Sequence, residues 1–142
     1  MHSRFLALLL LAAPTARAAD PDPVSLYVVT TEGSSTSLKA GKPGTFVLSI
    51  RTVAGAHISE EAPMKLMLSG TGGVEPAKAL LGRSDAKSVP KADGATDPRF
   101  EVALTALAKG QGSVEAKLTF FVCTETLCAR QQKTLSVPVT VD

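Results

Sequence analysis

The chain has 142 residues, with 15 Lys+Arg against 13 Asp+Glu, two cysteines, nine prolines, eleven glycines, one tyrosine and no tryptophan. Such a length suits one domain with a short tail and leaves little room for two cores, and 44% hydrophobic with 20% charged residues excludes a disordered chain. Arg4 and Arg17 account for the whole formal +2, so a chain starting at Ala19 carries 13 basic and 13 acidic residues; with no Lys/Arg run, neither nucleic acid nor an anionic membrane is expected as partner.

Residues 1–18 read as a secretory signal peptide. Arg4 supplies the positive start, Phe5 to Ala13 is an unbroken apolar run, Pro14 breaks it, and Ala16-Arg17-Ala18 offers the small residues that signal peptidase needs. The run is too short to span a bilayer, and no later segment approaches 18 consecutive apolar residues. Cleavage after Ala18 predicts a protein of the periplasm or the outside of the cell, without stable membrane insertion, where disulfides persist.

Asp20-Pro21-Asp22-Pro23, within a lead-in of residues 19–23, is stiff and polar and excludes helix or central strand. Extended segments separated by turn signals then fill residues 24–142. Val24–Glu32 is β-branched and aromatic, and Gly33–Gly44 is a polar connection. Thr45–Val53 alternates through Phe46, Leu48 and Ile50, and Pro63–Ser69 through Met64, Leu66 and Leu68, before a turn at Gly70–Gly73. Residues 75–98 read as a loop with one edge strand around Lys78–Leu81. Three strong strands follow: Arg99–Leu107, Ser113–Cys123 and Thr134–Val141. Lys109-Gly110-Gln111-Gly112 reads as a hairpin turn between the first two. This pattern predicts an all-β fold, an immunoglobulin-like antiparallel β-sandwich of about seven strands, with a small open barrel as the alternative.

The two cysteines fall at the end of this pattern. The core face of Ser113–Cys123 is even-numbered and that of the last strand odd-numbered, so Cys123 and Cys128 are both expected on the wet face. They would flank a four-residue tip, Thr124-Glu125-Thr126-Leu127, at cross-strand distance. A disulfide closing a loop of about six residues contributes only about 2 kcal/mol of chain entropy. From spacing alone the pair is open to several readings: a bridge that locks the hairpin, a bridge that exchanges, free thiols, or an intermolecular link.

Other chemistries fare worse. Zinc needs four ligands, and beyond the cysteines the chain after residue 18 has only His57 as a soft or borderline ligand, so no metal or other cofactor is expected. His57 lies in a turn-like stretch, and a lone loop histidine is more often solvated than catalytic. Glu60-Glu61 cannot act as a glycosidase pair, because consecutive residues of an extended chain face opposite ways. No Ser lies in a strand–turn–helix elbow, and neither Gly-Gly nor Gly-x-Gly precedes a helix that could hold a phosphate. At most, the chain is an exchanger of thiols and disulfides.

The run Thr119–Cys128 (TFFVCTETLC), with the β-rich Leu135–Val141 behind it and Ala56–Pro63 (AHISEEAP) ahead of a strand, resembles the N-terminal domain of DsbD-type thiol:disulfide interchange proteins. The resemblance implies an immunoglobulin-like periplasmic sandwich in which Cys123 and Cys128 form the redox pair. It further implies electrons received from a membrane thiol-disulfide reductase and passed to periplasmic thiol proteins. The chain departs from the family pattern in three places: four residues separate its cysteines, one fewer than in the familiar members; Ala129-Arg130-Gln131 stands where they carry an aromatic-Pro-Pro run; and Arg83–Pro98, the region matching their shielding loop, holds no aromatic. The competing expectation is a secreted binding or structural sandwich with a purely structural hairpin disulfide. Near the sulfurs, Glu125 would oppose thiolate formation and Arg130 would favour it.

Overall fold

The computed structural model describes residues 13–142; most of the proposed signal segment lies outside them, and residues 13–22 are irregular and exposed. Eleven strand segments follow: β1 (Tyr27–Thr30), β2 (Ser37–Leu38), β3 (Pro43–Thr52), β4 (His57–Ile58), β5 (Lys65–Thr71), β6 (Val74–Pro76), β7 (Leu80–Gly82), β8 (Lys87–Pro90), β9 (Thr96–Ala106), β10 (Gly110–Cys123) and β11 (Cys128–Val141). They form two sheets. One runs β1-β3-β9-β6 with β8 also on β9; the other runs β2-β11-β10-β5-β7 with β4 also on β10. All pairings are antiparallel except the two-residue parallel ladder of β2 on β11.

The expected alternation builds the core between the sheets. Phe46, Leu48 and Ile50 of β3 and Phe100, Val102 and Leu104 of β9 face Leu66 and Leu68 of β5 and Val114, Ala116, Leu118, Phe120 and Val122 of β10. Val137, Val139 and Val141 of β11 complete it. Tyr27 closes one end, edge-on to Phe120 with ring centroids 4.9 Å apart, and its hydroxyl donates to Gln131 Oε1 at 2.9 Å. The polar end of the ring is thus satisfied while its body is buried.

β10 and β11 dominate the second sheet. Their register is unbroken from Gly110↔Val141 to Cys123↔Cys128, and an interior proline survives in it for a geometric reason. Thr140 N–H donates away from β10 to Thr36 O at 2.9 Å. Two residues earlier on the same strand, the missing N–H of Pro138 falls on that same edge, where no strand is paired.

Three sequence expectations are corrected. Val24–Leu26 is not strand: Pro23–Leu26 is a 3₁₀ turn, because Pro23 fixes its first residue and the Asp22 carboxylate accepts from Val24 N–H at 3.2 Å. Residues 75–98 are not a loop with one edge strand but contain β6, β7 and β8, each four residues or shorter. They are held by ladders to β5 and β9 rather than by their own composition. The turn at Lys109–Gly112 does not join a hairpin, since β9 and β10 belong to different sheets and the chain crosses between them there. A similar crossing after β5 uses Gly72 and Gly73 at φ 65° and 80°, a region L-residues rarely adopt.

The parity of β10 gives a direct test. Phe120→Ala, at a fully buried position, should cost about 3–5 kcal/mol. Lys117→Ala on the outer face should stay within about 0.5 kcal/mol. Urea unfolding of the two variants measures both.

Candidate functional site

The end of the β10/β11 ladder forms the site. Thr124 N–H donates to Leu127 O at 2.7 Å, and Thr124 Oγ1 accepts from Thr126 and Leu127 N–H at 3.3 and 3.2 Å. The threonine side chain therefore does the work of a turn residue at a tip without glycine. The Thr124–Leu127 bond leaves the preceding pair, Cys123 and Cys128, at a position where strands approach closely without mutual hydrogen bonds. Their Cα atoms lie 4.1 Å apart and their sulfurs are joined in a disulfide.

The two cysteines are not equivalent. Both side chains belong to the outward face of the sheet, as parity predicts, but Cys123 is only 2% exposed whereas Cys128 is open to solvent. The expectation that both sulfurs sit on the wet face is thus corrected for Cys123. The cause is a second neighbour. β4 pairs with the same stretch of β10, with His57 opposite Cys123 and Ile58 opposite Val122. His57, Cys123 and Cys128 therefore form one cross-strand row on a single face, the imidazole on one side of Cys123 and Cys128 on the other.

This row lines an open depression of about 690 Å³ whose far wall is Gly94, Ala95 and Thr96, the turn between β8 and β9. Glu60 and Glu61 stand on its rim. They are presented by a tight turn in which Ser59 Oγ accepts from Ala62 N–H at 3.0 Å, while the Arg83 guanidinium donates to Ser59 O. The Arg83–Pro98 region, read from sequence as a loop without an aromatic, lines the same depression as the cysteines, through small residues.

What holds that turn in place is Lys91. Its side chain is 11% exposed, and its ammonium donates to Thr52 Oγ1 at 2.6 Å, Ala56 O at 2.9 Å and Val53 O at 3.2 Å and pairs with Asp93 Oδ2 at 3.2 Å. Thr52 in turn gives its N–H and hydroxyl to the buried Asp97 carboxylate at 3.0 and 2.7 Å. One cation therefore ties the β8–β9 turn to the β3–β4 connection, whose next residue is His57. The Ala95 N–H, helped by the Lys91 ammonium, holds the Asp93 carboxyl below its usual range despite an opposing push from burial.

Sequence reasoning found both cysteines and their tip but set His57 aside. The available signal was the alternation of buried Ala56, exposed His57 and buried Ile58, a strand pattern too short to stand out. Among the remaining candidates, Glu125 is exposed at the tip and Arg130 sits outward on β11, opposite Phe121.

Comparison with known proteins bears on the fold. No family model matches the chain, and no curated protein matches it. Among solved structures it is similar to a lipoprotein from Bacteroides thetaiotaomicron, at 13% identity over 91% of this chain and 88% of that one, TM-score 0.50. It is also similar to a cohesin module from a Clostridium perfringens family 33 glycoside hydrolase, at 11% identity over 82% and 97%, TM-score 0.47. The N-terminal domain of Neisseria meningitidis DsbD in its reduced form aligns at 10% identity over 84% and 89%, TM-score 0.34. The sandwich is shown by the two sheets themselves; at such identities none of these likenesses assigns any chemistry. Among the described residues no helix is long and apolar enough to cross a membrane.

Lys91→Met should loosen the wall of the depression. Amide exchange at Ala56 and Ala95 should quicken by a factor matching on the order of 1–3 kcal/mol, with the β10/β11 core protected as before. In the unaltered protein the Asp93 contribution should be complete above the ordinary carboxylate range near pH 4 and fade as pH falls below it, because the depressed carboxyl must take up a proton. Exchange at Ala95 measured across pH 3–6, corrected for intrinsic rates, reads this directly.

Proposed function

We propose that the protein is a periplasmic or secreted thiol-disulfide interchange module whose working pair is Cys123 and Cys128. The observation that carries this reading is the asymmetry of the bridge: an exposed sulfur-bearing residue joined to a buried one, at the mouth of a polar depression with an imidazole alongside. A loop this small adds only about 2 kcal/mol of chain-entropy stabilisation to a hairpin already held by a full ladder. Stapling is therefore a poor account of the bridge.

The chemistry follows from access. A partner's thiolate attacks Cys128 Sγ; the Cys123–Cys128 bond breaks, a partner–Cys128 bond forms, and Cys123 departs as a thiolate beside His57 and takes up a proton. The partner's second thiolate then attacks its own sulfur in the mixed disulfide and releases Cys128. Two electrons and two protons pass to the module, and the partner dithiol becomes a disulfide. Run in reverse, the reduced pair delivers both to another protein's disulfide. A membrane thiol-disulfide reductase as electron source and periplasmic thiol proteins as acceptors fit this cycle, and no cofactor is needed for it. An imidazole N–H at His57, across the strand from where the leaving thiolate forms, can donate a hydrogen bond to it and so favour departure.

Three measurements test the reading. The reduction potential should lie above about −300 mV; a lower value marks a structural bridge and removes the redox role. Cys123→Ser should leave a Cys128 thiol that forms mixed disulfides at least about tenfold faster than the Cys123 thiol left by Cys128→Ser, since access governs the rate. Equal rates would refute the assignment of Cys128 as the sulfur attacked. His57→Gln should slow reduction of the bridge by dithiothreitol several-fold, because the leaving thiolate loses the imidazole beside it; an unchanged rate would remove that role.

A further inference from the structure

The outward face of the second sheet continues from the cysteines without interruption, and the register maps it row by row. Beyond the His57–Cys123–Cys128 row comes Phe121 with Arg130, then Lys65, Thr119 and Gln132, then Leu80, Met67, Lys117 and Thr134. Successive rows are about 7 Å apart along the strands, so Arg130 lies one row from the disulfide and Lys117 three rows, about 20 Å.

Two properties meet on this face. Among the described residues its cations Lys65, Lys117 and Arg130 form no ion pair, and they follow one another row by row from the disulfide. The nearest acid on the face, Glu115, lies one row beyond Lys117, at the end away from the disulfide. Among the cations Met67 and Leu80 are 46% and 56% exposed and Phe121 is half-buried, beside the polar Thr119, Gln132 and Thr134. Two adjoining hollows, of about 480 and 280 Å³, share Lys65, Met67 and Lys117 as walls, and Glu115 also walls the smaller one, which lies farther from the disulfide. On the other side of the disulfide the sign reverses, with Glu60 and Glu61 on the rim and Glu125 at the tip.

We infer that this Lys65/Lys117/Arg130 face is the docking surface for the thiol partner, and that the partner carries acidic side chains around an apolar contact beside its own reactive cysteine. The inference rests on the redox reading of Cys123 and Cys128. Unpaired cations around exposed apolar side chains are the complement of an acidic, partly apolar surface, and such complementarity acts chiefly on the rate and choice of encounter. That is the requirement for an exchanger, which must meet a partner quickly and release it. The neighbouring glutamates oppose the same partner in any orientation that lays its acids over the other rim, so the two signs together define one docking direction.

The probes are two peptides of about ten residues, each a terminal cysteine and Leu followed by four Glu or four Lys alternating with Ser; extended, each reaches about 33 Å, past Lys117. The rate of mixed-disulfide formation with the oxidised protein is measured for each and divided by the rate for dithiothreitol, which cancels changes at the sulfurs themselves. In low salt the acidic peptide should react about tenfold faster than the basic one, and the gap should close in 0.5 M salt as the charges are screened. The exposed double variant Lys65→Glu/Lys117→Glu, its fold checked by thermal unfolding, should abolish or reverse the preference. Equal rates for the two peptides, or an unchanged preference in the variant, would overturn the inference. Co-sedimentation with phosphatidylglycerol vesicles, without discrimination between the peptides, would assign the face to a membrane surface and overturn it equally. If neither peptide nor dithiothreitol reduces the bridge, the redox reading fails by itself. Binding of the same peptides with Ser for Cys then decides the surface: acidic-selective binding lost in the double variant keeps it, and no binding removes it.

Discussion

Everything at the candidate site depends on one register, that of β10 against β11. Fourteen consecutive pairs from Gly110↔Val141 onward bring Cys123 opposite Cys128. A slip of one residue would turn Phe120 and Val122 outward and break the cysteine pairing at the same time. The core and the disulfide are thus enforced by the same alternation. The buried even-numbered side chains of β10 fix the register, and the site receives its geometry from that packing rather than from the sulfur bond. The bridge closes its short loop at the end of a ladder that is already complete.

The asymmetry of the two cysteines comes from elsewhere in the chain. β10 is the inner strand at this end, flanked by β11 on one edge and by the two-residue β4 on the other. β4 is too short to persist by its own pairing. It is retained because Ile58 and Ala56 are buried and because Lys91 grips the carbonyls of Val53 and Ala56 just before it. The same ammonium holds the turn that forms the opposite wall. A nearly buried cation with four oxygen partners contributes here less as a source of stability than as a means of setting two irregular segments against each other. The surroundings of the disulfide are in this way set by polar contacts distant from sulfur.

How much of this was legible in the sequence follows from where each feature draws its stability. Long strands with clean alternation, such as those carrying Phe46, Leu48 and Ile50 or Val114 through Val122, state their buried face outright, and the cysteine tip could be placed by counting from them. The short strands could not be seen, because Ser37–Leu38, His57–Ile58 and Lys87–Pro90 are strands only through a partner ladder. The hairpin expected at Lys109–Gly112 shows the same limit. A glycine-rich turn reports a reversal of direction, not whether the next strand returns to the same sheet. Parity located Cys123 on the outward face correctly, yet burial is set by tertiary neighbours, and the residues that cover it come from segments whose local pattern is nearly silent.

The distribution of charge completes the argument. The chain after Ala18 is balanced overall, with 13 residues of each sign, so no net field steers it toward any class of partner. On the first sheet the charges cancel locally, as in the Lys87–Glu101–Arg99 cluster on its outer face. Around the disulfide they are separated instead, glutamates toward the tip and unpaired cations along the outward face. Separation of this kind costs self-repulsion and returns nothing to stability in a surface so exposed. Glutamates on one side of Cys128 and unpaired cations on the other give this surface a direction that the balanced total charge does not. The step from one of the cations to the next, two residues along paired strands, makes that surface a direct extension of the register that built the site.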